Sequence, residues 1–169
     1  MATSKLIGLL FEAWNDMDRV VDGVSTEQAQ ARVGGGSSFA WTFAHVTNQV
    51  DAWVNVRFAG HAPHPLIGQE EFRIGGTGVV SDWETIRQSA GEVQSKARRY
   101  LDGRTDDDLA LVLPYDGSFL VLREKGLSLR HALLRISAHH FFHIGEIATK
   151  RDQLGHRVGD YPGALTQTI

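Results

Sequence analysis

Two histidines and a glutamate form one polar stripe near the carboxyl end of the chain, at His139, His143 and Glu146. The spacing i, i+4 and i+7 puts all three on one face of an α-helix. Two imidazoles four residues apart on a helix can bind the same metal ion. A catalytic zinc site takes three protein ligands and leaves a position open. The stripe therefore predicts part of a metal site that needs a third ligand from another helix.

The third ligand and the register of the pair remain to be assigned. His45 is the natural candidate for the third ligand, because its predicted helix is the only other one that contains a histidine. His140 and His143, at i and i+3, form an alternative pair. A buried histidine that is simply hydrogen-bonded is commoner than a metal ligand. Imidazole nitrogens suit zinc, nickel, copper and iron alike, and we expect a divalent transition metal, zinc or nickel first.

Four segments carry apolar residues at helical spacing, which predicts the elements that position these side chains. The last of them is apolar nearly all round, and we expect it to be well buried. Four helices of similar length predict an all-α four-helix bundle, with one domain over residues 1–169. The predicted helices run from about Ser4 to Val21, from Phe39 to Phe58, from the capping signal at 81–84 to Leu101, and from Ser128 to Leu154.

The connections between these helices differ in character. Gly60–Val80 is a long loop rich in proline and glycine, and loops of this length often form lids or binding loops. We expect it to cover the mouth of the site, with Arg73 binding an anionic group, and we expect His61 and His64 at its surface. Leu109–Leu122 has apolar runs on either side of an Asp-Gly pair, which predicts a short β-hairpin before the last helix.

Composition excludes several functional classes. The 169 residues include no cysteine, so thiolate nucleophiles and Cys-based zinc sites are absent. Seventeen Lys and Arg against twenty Asp and Glu give a net charge of −3, which argues against nucleic acid as a partner. No apolar run approaches the roughly 18 residues of a membrane span, and acidic residues near the start argue against a signal peptide. We therefore expect a soluble cytoplasmic protein.

The order and spacing of these motifs resemble a known family. Phe43-Ala44-His45-Val46 in the second helix, followed by His139-x-x-x-His143-x-Gly145-Glu146-Ile147 in the last, is similar to the DinB/YfiT-like superfamily. The resemblance covers nearly the whole chain. It implies a metal-binding four-helix bundle, commonly a homodimer, with His45, His139 and His143 as the three ligands. It also favours His139 over His140.

The resemblance implies a reaction class as well. Family members of known activity are thiol-dependent transferases or isomerases that use bacillithiol, mycothiol or glutathione. Glu146 departs from the family, in which many members have Gln after the glycine. Glu146 is the candidate catalytic residue, either as a general base or as a group that orients an imidazole. The expected partners are a small-molecule thiol and an electrophilic substrate.

Two other functions remain open, a metal-dependent hydrolase and a non-catalytic, stress-related metal or small-molecule binding protein. We also expect a homodimer. Trp41, Trp53 and Phe58 on the second helix exceed what one bundle core needs, and aromatic residues are enriched at interfaces. Trp41 and Gln49 lie one turn before and one turn after His45, where they can also line a pocket.

Overall fold

The computed structural model describes residues 4–169, in which four long helices form the predicted bundle. Two short helices and a two-stranded antiparallel sheet complete it. The elements are α1 (Lys5–Val21), α2 (Thr26–Gln30), α3 (Phe39–Val50), α4 (Trp83–Leu101), β1 (Val112–Leu113), α5 (Leu120–Lys125), β2 (Leu127–Ser128) and α6 (Leu129–Gln153). No helix within residues 4–169 is both long and apolar enough to cross a bilayer.

Each long helix begins at a side chain that caps its first turn. Ser38 Oγ accepts a hydrogen bond from Trp41 N at 3.2 Å, and Ser128 Oγ accepts from His131 N at 3.1 Å. Asp82, rather than Ser81, caps α4 by accepting from Thr85 N. Such caps satisfy amide groups that have no partner inside the helix. The helix starts that position the polar stripe are therefore set locally.

The helices are not arranged in chain order. α6 packs against both α1 and α3, and α3 packs in turn against α4. Their apolar faces meet in one core that includes Trp14, Phe39, Trp83 and Leu133. Because α6 lies between α1 and α3, it can bury one face in the core while its polar stripe faces α3.

The second predicted helix is continuous over its expected length but changes type. It is α-helical to Val50 and then forms a π-helix over Asp51–Phe58. Asp51 and Asn55 are fully buried in that segment, and Asp51 Oδ1 accepts a hydrogen bond from Asn55 Nδ2 at 3.2 Å. π-Helical turns are rare and often lie at functional sites.

The predicted hairpin is present, but its second strand lies later in the chain than expected. Val112 pairs with Ser128 and Leu113 with Leu127, while the apolar run at 120–122 is helical. Gly126 makes this closure possible: its φ is +77°, and a Cβ there would lie 2.6 Å from Val112 Cγ1. Ser128 thus ends β2 and caps α6 at once.

Two sequence-based expectations about burial are wrong. α6 is buried on one face only, because its outer side meets no other helix: Leu134 is 51% exposed and Phe142 is 71% exposed. The aromatic residues expected at a dimer interface, Trp41, Trp53 and Phe58, are all buried within the chain. Segment 60–80 packs over Trp41 on α3, and segment 115–119 packs over Trp53 in the π-helical turn. These three residues therefore supply no exposed interface.

Candidate metal centre

Three histidines converge between α3 and α6. His45 comes from the middle of α3, and His139 and His143 come from successive turns of α6. One nitrogen from each ring lies within 4.8 Å of the other two, a geometry that could hold a metal ion. The ring centroids of His45 and His139 are 4.9 Å apart, and those of His139 and His143 are 4.6 Å apart. The histidines predicted as ligands thus lie together.

The alternative register is not part of this group. His140 points into the core, where its side chain is 1% exposed and its Nδ1 donates to the Ile136 carbonyl at 2.9 Å. Burial lowers the pKa of His140 to about 4. It therefore remains neutral and packs with the core, one helical position away from the cluster.

His45 is held in one tautomer by the long loop. Its Nδ1 donates a hydrogen bond to the Phe72 carbonyl at 2.6 Å, because a carbonyl oxygen can only accept. The ring also stacks on Trp41 with 4.7 Å between centroids. Burial lowers the pKa of His45, so its Nε2 carries a lone pair rather than a proton at neutral pH. This is the form in which an imidazole binds a metal.

His143 is held in the same way by a carboxylate. Its Nδ1 donates to Glu146 Oε2 at 2.7 Å, and Glu146 Oε1 accepts from Lys150 Nζ. Lys150 Nζ also donates to the Ser37 carbonyl at 3.0 Å, just before α3 begins. The hydrogen bond from His143 and the lysine charge lower the pKa of Glu146 to about 2, so the carboxylate is ionised. A carboxylate on the outer nitrogen of a ligand imidazole is typical of metal sites.

His139 completes the group. Its Nε2 lies 3.1 Å from His143 Nε2. Nitrogens bound to one ion at about 2.0–2.1 Å, at tetrahedral or octahedral angles, are separated by roughly 2.8–3.4 Å. Burial and the neighbouring histidines lower the pKa of His139 to about 3, which keeps the ring neutral. The spacing and the protonation state both fit a shared divalent cation.

Two buried polar atoms on the helices that hold the cluster have incomplete hydrogen bonding. His139 Nδ1 and Gln49 Oε1 are buried without a hydrogen-bond partner among residues 4–169. Buried polar atoms of this kind indicate a position where water or a ligand completes the bonding. Gln49 lies one turn beyond His45 on α3, and its role in lining a pocket stays a prediction.

An open groove of about 450 Å³ lies next to the cluster. Its walls include Glu146, Lys150, Phe142 and Gly145 from α6, with Val33, Gly34 and Gly36 opposite. Phe142 also contacts the edge of the His143 ring, with 5.1 Å between centroids. Arg73, expected to bind an anionic group, forms an exposed ion pair with Glu70 at 3.3 Å.

Several contributors to this centre were not predicted from the sequence. The contact between Lys150 and Glu146 has a sequence signal, because the two residues lie four apart on the same helix. The Phe72 carbonyl carries no sequence signal, since every residue has one. His64 was expected at the surface and is instead 5% exposed, because the long loop folds back against α3 and α4.

Comparison with known families supports the same interpretation. Residues 9–147 match the family described as the DinB superfamily. The chain belongs to the DinB superfamily. The match spans 139 of the 169 residues and contains all three histidines of the cluster, so the DinB assignment and the candidate metal centre concern the same part of the fold. Searches of curated proteins and of solved structures gave no significant match.

Proposed function

We propose that this DinB protein binds one divalent transition metal, zinc or nickel, through His45, His139 and His143. The observation that carries the proposal is the convergence of three ring nitrogens within 4.8 Å of one another. Two of the rings are fixed by hydrogen bonds from Nδ1, to a carbonyl and to a carboxylate, which leaves Nε2 directed toward the shared position. All three nitrogens are neutral donors, so a bound cation keeps its full charge and favours an anionic further ligand.

The reaction that we propose is attack by a small-molecule thiol on an electrophilic substrate, as in a thiol-dependent S-transferase or isomerase. A bound divalent metal would supply a lower pKa for the thiol and hold the resulting thiolate. The thiol must come from outside the chain, because the protein contains no cysteine. The groove beside Glu146 offers space for the rest of either reactant.

Glu146 acts in this proposal by orienting His143. Both of its oxygens have partners, since Oε2 accepts from His143 and Oε1 accepts from Lys150. A carboxylate with a pKa of about 2 is also a weak base, because general bases work best with a pKa near the working pH. The charge and contacts of Glu146 thus favour positioning over proton transfer.

Elemental analysis of protein purified without a nickel column tests the metal. We expect close to one zinc or nickel per chain, and a variant with alanine at all three histidines should bind none. Retention of the metal by that triple variant would refute the assigned ligands. A variant with alanine at His131, an exposed histidine on α6, is the matched control and should retain the metal.

The reaction is tested by incubating metal-loaded protein with a panel of low-molecular-weight thiols and monochlorobimane. Metal-dependent consumption of one thiol supports the transferase. Hydrolysis of ester or amide probes without thiol consumption would support the hydrolase instead. The absence of both activities would favour a non-catalytic binding protein.

The remaining expectations are also part of the proposal. We expect one domain over residues 1–169, a cytoplasmic location and a homodimer. Since Trp41, Trp53 and Phe58 are buried, exposed apolar side chains such as Leu134 and Phe142 on α6 are the available contacts for a second copy. Light scattering at micromolar concentration should give twice the chain mass of 18.7 kDa, and a mass near one chain would refute the dimer.

A further inference from the structure

His64 lies at the centre of a small buried network in the long loop. Its Nδ1 accepts hydrogen bonds from two backbone amides, Leu66 N at 3.3 Å and Ile67 N at 3.2 Å. An atom that accepts two N–H groups carries no proton, so the ring proton of His64 is on Nε2. Nε2 then donates to Glu92 Oε2 on α4 at 3.2 Å. The ring thus closes a tight turn of the loop and ties that turn to α4.

The main chain of His64 is fixed as well. Its amide donates to Asp51 Oδ2 in the π-helical turn at 2.8 Å, and its carbonyl accepts from Gly68 N at 2.8 Å. A Cβ at Gly68 would lie 2.6 Å from the His64 carbonyl oxygen, so the turn is closed as tightly as a glycine allows. Asp51 is 1% exposed, and a buried carboxylate of this kind must be hydrogen-bonded.

The segment that follows this turn supplies hydrogen-bond acceptors to α3. The Ile67 carbonyl accepts from Asn48 Nδ2 at 2.7 Å, and the Phe72 carbonyl accepts from His45 Nδ1 at 2.6 Å. The side chains of Ile67 and Phe72 are buried in the core. Between the anchored turn and His45 Nδ1, the backbone is therefore held at Ile67 and again at Phe72.

We propose that His64 is a positioning residue for the metal centre. By accepting two backbone amides it holds the loop in the conformation that places the Phe72 carbonyl on His45 Nδ1, and so keeps His45 Nε2 directed at the cluster. Outer hydrogen-bond partners of metal ligands are typically worth about 10- to 100-fold in metal affinity. The proposal rests on metal binding by the three histidines and adds a residue that touches none of them.

Two substitutions at one position separate the acceptor from simple space filling. His64→Leu keeps an apolar side chain of similar size and removes the acceptor. His64→Asn restores it, because Asn Oδ1 can occupy the place of Nδ1 and accept the same amides. His61→Leu is the matched control, since His61 is an exposed histidine in the same loop.

The first measurement is amide hydrogen exchange of the full-length protein without metal. We expect the amides at 66–68 to exchange about tenfold faster in His64→Leu than in the wild type, as loss of one hydrogen bond predicts. His64→Asn and His61→Leu should resemble the wild type. Unchanged protection in His64→Leu would overturn the anchoring role, whatever the metal result.

The second measurement is Zn²⁺ affinity by competition with a chromophoric chelator. We expect His64→Leu to bind Zn²⁺ about tenfold more weakly than the wild type. His64→Asn should remain within about twofold of the wild type, a rescue that space filling alone would not produce. Faster exchange with unchanged Zn²⁺ affinity would overturn the coupling to His45. A wild type that binds neither Zn²⁺ nor Ni²⁺ would instead refute the proposed function, and the exchange result would still decide whether His64 anchors the loop.

Discussion

His143 Nδ1 donates to Glu146 Oε2 across one helical turn at 2.7 Å, and the same carboxylate binds Lys150 through its other oxygen. The arrangement fixes the ring of His143 while the lysine balances the charge of the carboxylate. It resembles the carboxylate–histidine pairs that orient zinc ligands. Because Lys150 also donates to the Ser37 carbonyl, Glu146 links the segment just before α3 to the cluster.

Removing this carboxylate should weaken metal binding. We expect Glu146→Ala to bind Zn²⁺ roughly 10- to 100-fold more weakly, because His143 loses its orienting acceptor. Glu146→Gln keeps an acceptor and should lose less. Asp152→Asn removes a negative charge from the same helix and should leave the affinity unchanged. Normal metal affinity in Glu146→Gln, together with loss of most turnover, would instead identify a general base.

Acid should destabilise the metal-free protein from about pH 6.5 downward. The pKa of His139 is lowered to about 3 and that of His140 to about 4, so below the unfolded value of 6.5 the unfolded chain binds more protons than the folded one. Glu146, whose pKa is lowered to about 2, adds a further loss of stability below its ordinary value of 4.5. The free energy of unfolding therefore decreases as the pH is lowered through this range.

The size of that effect can be measured by urea unfolding with a chelator present. Between pH 7.5 and pH 5, we expect His140 alone to account for a loss of roughly 2 kcal/mol. A His140→Gln variant should show a shallower pH dependence over this range. His131→Gln changes an exposed histidine and should leave the dependence as it is. Equal slopes for wild type and His140→Gln would contradict the neutral, buried state of His140.

Zinc should stabilise the protein through the cluster. A ligand that binds only the folded state at 100 times its Kd raises the free energy of unfolding by about 2.7 kcal/mol. We expect an increase of that order for the wild type when free Zn²⁺ is in such excess. The variant with alanine at His45, His139 and His143 should show none. An equal shift in both proteins would indicate binding elsewhere on the chain.

The closure of the hairpin depends on Gly126. Gly126→Ala should destabilise the fold by about 3 kcal/mol or more, because it combines a positive φ with a Cβ placed 2.6 Å from Val112 Cγ1. Gly23→Ala is the control, since Gly23 has φ +68° but nothing within 4 Å of its Cβ position. We expect that variant to lose only about 1 kcal/mol in thermal or chemical unfolding. Similar losses in both variants would show that contact with Val112 is unimportant.

The parts of the fold that depend on local signals could be predicted from the sequence. Capping residues and apolar spacing locate the four long helices to within a few residues, because these interactions involve near neighbours in the chain. The histidine pair on α6 was visible for the same reason. His45 was a candidate from its place in a helix, and the choice of His139 over His140 required the family resemblance.

The remaining features depend on contacts between distant segments. The π-helical turn holds Asp51 against the amide of His64, thirteen residues away, and neither spacing nor composition encodes that pair. The burial of His64 and Trp53 likewise follows from loops that fold over their side chains. The second strand, Leu127–Ser128, was missed because two residues give no periodicity to detect.

The loop from His64 to Phe72 acts on α3 through main-chain carbonyls, while the side chains of Glu70 and Glu71 are exposed to solvent. A main-chain carbonyl is present whatever the side chain, but its position relative to α3 changes when the segment is lengthened or shortened. This segment should therefore accept substitutions freely at its exposed positions and tolerate neither insertion nor deletion. At these exposed positions the metal centre requires the length of the segment rather than particular residue types.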